Sequence, residues 1–257
     1  MEEERIFNNL IKKYNEIAEQ GWIDSVNDNT SGVGLTFEKL LGKEPDDFSY
    51  PDYDGIEIKT QRLKSNYPVT LFGLAICGQT FPEIERIRQK YGYYDYDLPE
   101  NKRLNCEFYA NHNVLISNRY FFNLRIDREQ EKIILLIFNI NYELIDDSSY
   151  WYFSDFKEKF ETKIKYLGFV HAASTVVNDK EKFKYVRLEC YKFIDFENFL
   201  KLLEKNMIVV SITTSDTKYG SSLGKPKSSC YFRIYKYDLP KLYECLYTSP
   251  ILERKYL

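Results

Sequence analysis

The stretch Tyr50-Pro-Asp-Tyr-Asp-Gly-Ile-Glu-Ile-Lys59 says more about the fold than any other part of the chain. Its second half reads as a short apolar strand, in which successive side chains point to opposite faces. Glu57 and Lys59 therefore share one face, while the two isoleucines pack into the other. Asp52 arrives at the same edge from the preceding turn. Two carboxylates and an ammonium group in this arrangement can hold Mg²⁺ beside a phosphate and orient a water molecule.

Each residue of this group also fits an ordinary structural role. Asp52 follows a proline and can be a plain turn residue, and Asp54 lies close enough to replace it as a ligand. Glu57 and Lys59 can form an exposed ion pair at a strand edge. The stretch by itself leaves these alternatives open.

The composition fits a folded, soluble protein. At 257 residues the chain can bury a substantial core, as one large domain or two lobes. No run of about 18 apolar residues occurs, so no transmembrane helix is expected, and the acidic start Met-Glu-Glu-Glu-Arg is unlike a signal peptide. Five scattered cysteines favour reduced thiols and a cytoplasmic location, and with two distant histidines they argue against a zinc site.

The net charge of −3 argues mildly against a nucleic-acid-binding protein, but the charge is unevenly distributed. From residue 201 onward, ten basic and five acidic side chains give a net charge of +5. This patch indicates a surface for phosphates, and a solvated charged surface is the alternative.

A second informative segment lies upstream, at Gly32-Val-Gly-Leu-Thr-Phe-Glu-Lys-Leu-Leu-Gly42. It reads as a glycine-bounded helix that carries Glu38. A helix ending Leu-Leu-Gly, followed by Pro-Asp and then by Gly-Ile-Glu-Ile-Lys-Thr, resembles the MutH-like branch of the PD-(D/E)XK nucleases. The Pro-Asp pair recurs in that pattern, which favours Asp52 over Asp54 as the ligand.

Two details resemble the MvaI/BcnI-type restriction endonucleases more than MutH itself. They are the short gap between Asp52 and Glu57 and the Gln-Arg pair at 61 and 62. Residues 32 to 62 carry the specific part of the resemblance. A weaker similarity runs to the C-terminus, through Tyr-Phe-Arg-Ile at 231 to 234.

The resemblance implies a mixed α/β (α+β) fold, with a mixed β-sheet flanked by helices and two lobes around a DNA-binding cleft. We expect a catalytic lobe over residues 1–150 and a DNA-recognition lobe over 151–257. The implied activity is that of a type II restriction endonuclease, which hydrolyses double-stranded DNA at a short specific sequence and leaves 5′-phosphate and 3′-hydroxyl ends. It also implies a monomer with a cognate DNA methyltransferase encoded nearby.

The site residues have separate roles in this chemistry. Asp52 and Glu57 supply carboxylates to Mg²⁺, which Mn²⁺ can replace, and the main-chain carbonyl of Ile58 supplies another oxygen. Lys59 orients or deprotonates the attacking water and pairs with the phosphate. Glu38 adds a carboxylate or binds a second cation, and a solvated helix position explains it equally well.

The segment from 216 to 233 is a candidate DNA-contacting loop, because its glycines give flexibility and its polar side chains suit a groove. In MvaI/BcnI-type enzymes the C-terminal lobe reads the sequence. The expected DNA contacts are Arg62, Lys218, Tyr219, Lys225, Lys227 and Arg233. A flexible surface loop without function is the alternative.

The remaining pattern predicts helices and strands in mixed order. Helices are expected near 4–20, 35–41, 82–92, 154–165, 195–205 and 238–247. Strands are expected near 54–60, 69–76, 104–109, 113–117, 120–127, 132–140, 166–177, 183–193, 207–213 and 229–237. The most apolar strand, at 132–140, should be central.

Three other functions compete with the restriction enzyme. A MutH-like nicking enzyme would need a mismatch-repair partner. A DNA-binding module without catalysis would use the same basic loop but ignore Lys59. A protein-interaction domain would have no affinity for Mg²⁺ at the carboxylates.

Overall fold

The computed structural model describes residues 5–27, 29–42, 50–96, 98–217 and 224–251. Six α-helices lie in these residues: α1 Asn8–Ala18, α2 Gly32–Leu41, α3 Glu83–Tyr91, α4 Phe153–Thr162, α5 Phe196–Glu204 and α6 Leu239–Leu242. Together with the strands below they make a mixed α+β fold, as predicted.

The strands are distributed along the whole chain. They are β1 Ile23–Asp24, β2 Glu57–Arg62, β3 Val69–Gly73, β4 Tyr93–Tyr94, β5 Lys102–Arg103, β6 Cys106–Phe108, β7 Val114–Ile116, β8 Tyr120–Asp127, β9 Lys132–Asn139, β10 Leu144–Tyr152, β11 Tyr166–Val177, β12 Lys180–Phe193, β13 Ile208–Asp216, β14 Pro226–Ile234 and β15 Tyr243–Thr248.

The chain divides into two compact units, each assembled from separate segments. Unit 1 comprises residues 1–69, 158–195 and 239–257, and unit 2 comprises 70–157 and 196–238. The division therefore does not fall at the expected boundary near residue 150. The reason is that β2 pairs with β11, more than a hundred residues later in the chain. The assignment of catalysis and DNA recognition to separate lobes stays a prediction.

Unit 1 is built on a mixed sheet in the order β1-β12-β11-β2, with β15 also paired to β12. Strand β2 runs parallel to β11, and Glu57 lies opposite Leu167 at the start of this pairing. The other pairs are antiparallel. The hairpin between β11 and β12 turns through Asn178 and Asp179, both with positive φ, as a two-residue hairpin turn requires. Strand β12 thus begins at Lys180, three residues before the start at 183 that the sequence predicted.

One face of this sheet packs against α1 and α2 in a continuous hydrophobic core. Leu10 and Phe37 from the helices meet Ile56 and Ile58 there. Gly168 makes the close approach possible, because a Cβ at this position would lie 2.8 Å from Leu10 Cδ2 and 3.0 Å from Ile58 Cδ1. Burial of Ile58 fixes the alternation of β2, so that Glu57 and Lys59 point to the opposite face.

Unit 2 contains two four-stranded sheets, in the orders β10-β9-β8-β7 and β3-β14-β13-β6. Strand β9 lies inside its sheet, as its apolar sequence predicted. Phe232 of β14 lies at the centre of an aromatic core, with Phe72, Phe156 and Trp151 packed around it at ring-centroid distances of 4.9 to 5.5 Å.

Two parts of the sequence prediction for this fold are wrong. The expected helix at 238–247 ends at Leu242, and Tyr243–Thr248 forms β15 instead, because pairing with β12 satisfies its backbone and buries Tyr243. Strand β10, Leu144–Tyr152, was not predicted. Its polar run Asp-Asp-Ser-Ser lacks an alternating pattern, and its register with β9 is irregular there.

The candidate DNA-contacting loop is also shorter than expected. Strands β13 and β14 pair from Ile208–Ile234 to Asp216–Pro226, so only residues 217–225 connect them. Lys227 and Arg233 therefore lie on a strand and not in the loop. Lys218 and Tyr219 fall outside the described residues.

Candidate active site

Glu57 and Lys59 lie side by side on the face of β2 that points away from the hydrophobic core. Lys59 Nζ donates a hydrogen bond to Glu57 Oε1 at 2.5 Å. The Glu57 side chain is 2% exposed and that of Lys59 is 23% exposed. The pair is therefore not the exposed strand-edge pair that was the structural alternative. It is a buried carboxylate with a half-buried ammonium group.

A tight turn brings Asp52 to the same place. Tyr53 and Ile56 exchange two backbone hydrogen bonds of 3.0 and 2.8 Å across the turn formed by Asp54 and Gly55, which both have positive φ. The chain before the turn is thereby folded back along β2. Asp52 Oδ2 consequently accepts a hydrogen bond of 3.0 Å from the backbone N–H of Ile58.

The same turn separates Asp54 from the site. The Asp54 side chain is exposed and accepts a hydrogen bond of 3.1 Å from Asn9 Nδ2 on α1. Asp52, in contrast, lies close enough to Glu57 to influence its ionisation. The geometry thus favours Asp52 over Asp54 as the partner of Glu57.

Glu57 is in an environment that disfavours its charge. Burial raises the pKa of its carboxyl group above the ordinary value, Lys59 opposes this, and the Asp52 carboxylate raises the pKa further. Glu57 Oε2 is buried and accepts no hydrogen bond within the described part of the protein. A buried carboxylate oxygen without a hydrogen bond is uncommon and calls for an explanation, such as a bound ion.

A second lysine, which the sequence did not single out, faces this oxygen. Lys163 Nζ lies 3.7 Å from Glu57 Oε2, and its side chain is 21% exposed. Lys163 follows α4, just before β11 enters the sheet beside β2. No local signal distinguishes it from Lys157, Lys159 or Lys165, because only the parallel pairing of distant strands brings it to Glu57.

Glu38 lies on α2 close to the opposite side of β2. A Cβ at Gly34 would be 3.7 Å from Glu38 Oε1 and 3.2 Å from Thr60 Oγ1, and Thr60 alternates with Lys59 along the strand. The Glu38 carboxylate also contributes to the raised pKa of Tyr185, whose main cause is burial. A catalytic role for Glu38 stays a prediction.

The donor set suits a hard divalent cation. Among the described residues no group of three or more His, Cys, Asp or Glu side chains could enclose a metal ion. Two carboxylates and a backbone carbonyl are, however, ligands that Mg²⁺ accepts, since it completes its coordination with water. The buried Oε2 of Glu57, which accepts no hydrogen bond in the described part of the chain, is an acceptor of the kind that such an ion binds.

Arg62 occupies the other face of β2. Its Nε and Nη2 donate to the two carboxylate oxygens of Glu181 at 2.7 and 2.6 Å, and its Nη1 donates to the Thr30 carbonyl at 2.9 Å. Its guanidinium also lies 5.1 Å from the centroid of Phe183, a core residue. This bidentate ion pair connects β2 to β12. The expected contact of Arg62 with DNA stays a prediction.

The other described candidates for DNA contacts lie in unit 2. Lys225 and Lys227 are exposed. They line, with Phe81 and Tyr231, a groove of about 760 Å³ that shares no residue with the carboxylate site. Arg233 is engaged within the unit, donating to Thr70 Oγ1 at 3.1 Å and to Glu107 at 3.2 Å. Among the candidates in unit 2 that the structure describes, Lys225 and Lys227 are the two whose side chains are exposed.

No helix among the described residues has the length and apolar character needed to cross a membrane. All five cysteines are free thiols.

Comparison with known proteins gives a consistent result. The model of the MvaI/BcnI restriction endonuclease family matches residues 11–243. The structure of the restriction endonuclease MvaI in complex with its cognate DNA is 26% identical, with a TM-score of 0.86, and the match covers 95% of this chain and 97% of that one. MvaI in the absence of DNA is 27% identical, with a TM-score of 0.59 and coverage of 93% and 96%. A search of curated proteins found no match.

Proposed function

Since the chain belongs to the MvaI/BcnI restriction endonuclease family and is a type II site-specific deoxyribonuclease, we propose that it uses Mg²⁺ to hydrolyse double-stranded DNA at one short sequence. Mn²⁺ would replace Mg²⁺, and the products would carry 5′-phosphate and 3′-hydroxyl ends. The observation that carries the proposal is the buried Glu57 carboxylate, with one oxygen bonded to Lys59 and the other without a hydrogen bond.

Asp52 and Glu57 are the carboxylates that would hold the cation, together with the carbonyl oxygen of Ile58. When bound, the cation would make water more acidic and would neutralise charge on the phosphate. The hydrogen bond from the Ile58 N–H keeps Asp52 oriented toward the site. Lys59 would orient the attacking water or, when it is a neutral amine, take the proton that the water loses, and its ammonium form would pair with a phosphate oxygen. The water oxygen bonds to phosphorus as the bond from phosphorus to the 3′ oxygen breaks, and the 3′ oxygen takes up a proton from solvent and leaves as a hydroxyl.

Several broader assignments follow from this function. The partner is double-stranded DNA, with Lys225 and Lys227 as phosphate contacts and Lys218, Tyr219 and Arg233 as further candidates. The protein would act as a monomer in the cytoplasm, where its free thiols stay reduced. A methyltransferase encoded nearby would protect the host sequence.

The test is to incubate the purified protein with plasmid DNA and Mg²⁺ and to sequence the fragment ends. We expect discrete fragments whose ends share one short motif. Random degradation would contradict site specificity, and intact DNA under varied metals would contradict the enzyme assignment. A requirement for a mismatch-repair partner would favour a nicking enzyme instead.

The variant that tests the proposed catalytic role of Lys59 is Lys59→Ala. We expect it to stop cleavage while DNA binding, measured by gel shift, persists. Cleavage that continues unchanged in this variant would remove Lys59 from the mechanism.

A further inference from the structure

Two ammonium groups approach the two oxygens of Glu57, but they do so differently. Lys59 Nζ lies 2.5 Å from Oε1 and forms a hydrogen bond, whereas Lys163 Nζ lies 3.7 Å from Oε2. The longer distance is an ion pair without a hydrogen bond. Lys163 is therefore attracted to the carboxylate without being bonded to it, which leaves its ammonium available for another anion.

The backbone of Lys163 is fixed, whereas its side chain is partly exposed. Its N–H donates to the Lys159 carbonyl at 3.0 Å, and the next residue, Ile164, donates to the same carbonyl at 3.1 Å. Ile164 is buried, and its carbonyl accepts a hydrogen bond of 3.3 Å from the Tyr243 hydroxyl. A long, flexible side chain on a fixed backbone can exchange one anion for another by rotation alone.

We propose that Lys163 is a substrate-binding residue whose ammonium pairs with a non-bridging oxygen of the scissile phosphate. The proposal rests on the function given above, because it needs Asp52 and Glu57 to hold the cation. With the charge of both carboxylates neutralised by the cation, the phosphate would become the anion with which Lys163 pairs. Lys59 and Lys163 then contact the phosphate from β2 and from the end of α4, and no covalent bond to either lysine is formed.

Lys165 provides a matched control. It lies two residues further along, has the same side chain, and pairs at 2.8 Å with Glu161 on the surface. Its side chain is 42% exposed, and that of Glu161 is 66% exposed. Removing its charge should therefore leave the site unchanged.

The experiment compares wild-type protein with Lys163→Ala, Lys163→Gln, Lys163→Arg and Lys165→Ala. The probe is a duplex carrying the sequence at which the wild-type protein cuts, with or without a neutral methylphosphonate at the scissile position. Binding is measured against salt concentration, with Ca²⁺ in place of Mg²⁺ and the DNA checked to be intact. Cleavage rates with Mg²⁺ and thermal unfolding are measured in parallel.

We expect Lys163→Ala and Lys163→Gln to lower kcat by about 10²-fold, as loss of one donor to a developing charge does. The slope of log K against log salt should become shallower by about 0.9, the value for one phosphate contact on duplex DNA. The methylphosphonate should weaken binding of the wild type and of Lys163→Arg, and it should weaken binding of the Ala and Gln variants less, because only the contacts of Lys59 and the cation with that phosphate are left for it to remove. Lys165→Ala should match the wild type.

An equal loss of affinity on the methylphosphonate duplex in wild type and Lys163→Gln would overturn the proposal and leave Lys163 as a counter-charge for Glu57. A fall in unfolding temperature with an unchanged salt slope would do the same. Failure of the wild-type protein to cut any DNA would appear before the variants are compared, and it would overturn the proposed function itself.

Discussion

Glu57 in unit 1 and Asp146 in unit 2 are both buried carboxylates, but their surroundings differ in kind. Asp146 accepts hydrogen bonds from Arg86 at 2.8 Å, from the Tyr91 hydroxyl at 2.6 Å, and from the N–H and hydroxyl of Ser148 at 3.1 and 2.6 Å. Glu57 has one hydrogen bond, from Lys59, and its second oxygen accepts none among the described residues.

The folded protein shifts the pKa values of these two carboxyl groups in opposite directions. Burial acts to raise the pKa of Asp146, but the hydrogen bonds from Arg86, Ser148 and Tyr91 outweigh it and hold the pKa well below the ordinary value. Burial raises the pKa of Glu57, and Lys59 does not fully compensate. The hydrogen bonds of Asp146 indicate a structural role. The oxygen of Glu57 that accepts no hydrogen bond indicates a binding site for a ligand.

The largest expected effect comes from Glu57→Gln, which keeps the shape of the side chain but removes its charge. Cleavage should fall by roughly 10³-fold or more, because a cation ligand and the partner of Lys59 are both lost. The measurement is single-turnover cleavage of the mapped site with Mg²⁺. Cleavage within tenfold of the wild type would show that Glu57 is not part of the catalytic centre.

Asp146→Asn should have the opposite effect to Glu57→Gln: the protein should become less stable, and its catalytic activity should persist. Breaking a buried, hydrogen-bonded pair with Arg86 should lower the free energy of unfolding by about 3 kcal/mol. Urea unfolding at neutral pH measures this loss. Cleavage per folded molecule should stay within a few-fold of the wild type. A large loss of catalysis would contradict the assignment of a structural role to Asp146.

The pH dependence of stability sharpens the same contrast. The pKa of Asp146 is lowered by folding, so its contribution is complete above the unfolded pKa of about 3.9 and is lost as the pH falls further. The difference in unfolding free energy between wild type and Asp146→Asn should therefore shrink in acid. A difference that stays constant down to pH 3 would contradict the assigned cause.

The contribution of Glu57 to stability should change with pH in the opposite direction. Its folded pKa is raised, so the folded state binds the proton more readily and stability falls as the pH rises through that pKa. Metal-free Glu57→Gln should accordingly be at least as stable as the wild type at pH 8. Calorimetry in EDTA tests this, and a marked loss of stability would show that the charge on Glu57 is structural.

The smallest expected effect is that of Arg62→Ala. Loss of its bidentate pair with Glu181 should cost roughly 1 to 2 kcal/mol of stability, because both side chains are partly buried. If Arg62 acts only by fastening β2 to β12, the salt dependence of DNA binding will not change. A slope shallower by about 0.9 would instead assign it a phosphate contact.

Local patterns predicted much of the fold correctly. Alternation around Ile56 and Ile58 placed Glu57 and Lys59 on one face, and the glycine-bounded segment became α2, with Gly42 in the left-handed conformation at its end. The prediction failed for Tyr243–Thr248, where pairing with β12 overrode a helical pattern, and for Leu144–Tyr152, where an irregular register hid the strand.

The sequence alone determined the alternation of β2 and the resemblance to a nuclease family, because both depend on residues that are neighbours in the chain. Tertiary structure decided that Lys163 faces Glu57 and that Arg62 pairs with Glu181. The physical reason is that a parallel pairing between strands about a hundred residues apart sets these distances. No pattern within a window of a few residues contains that information.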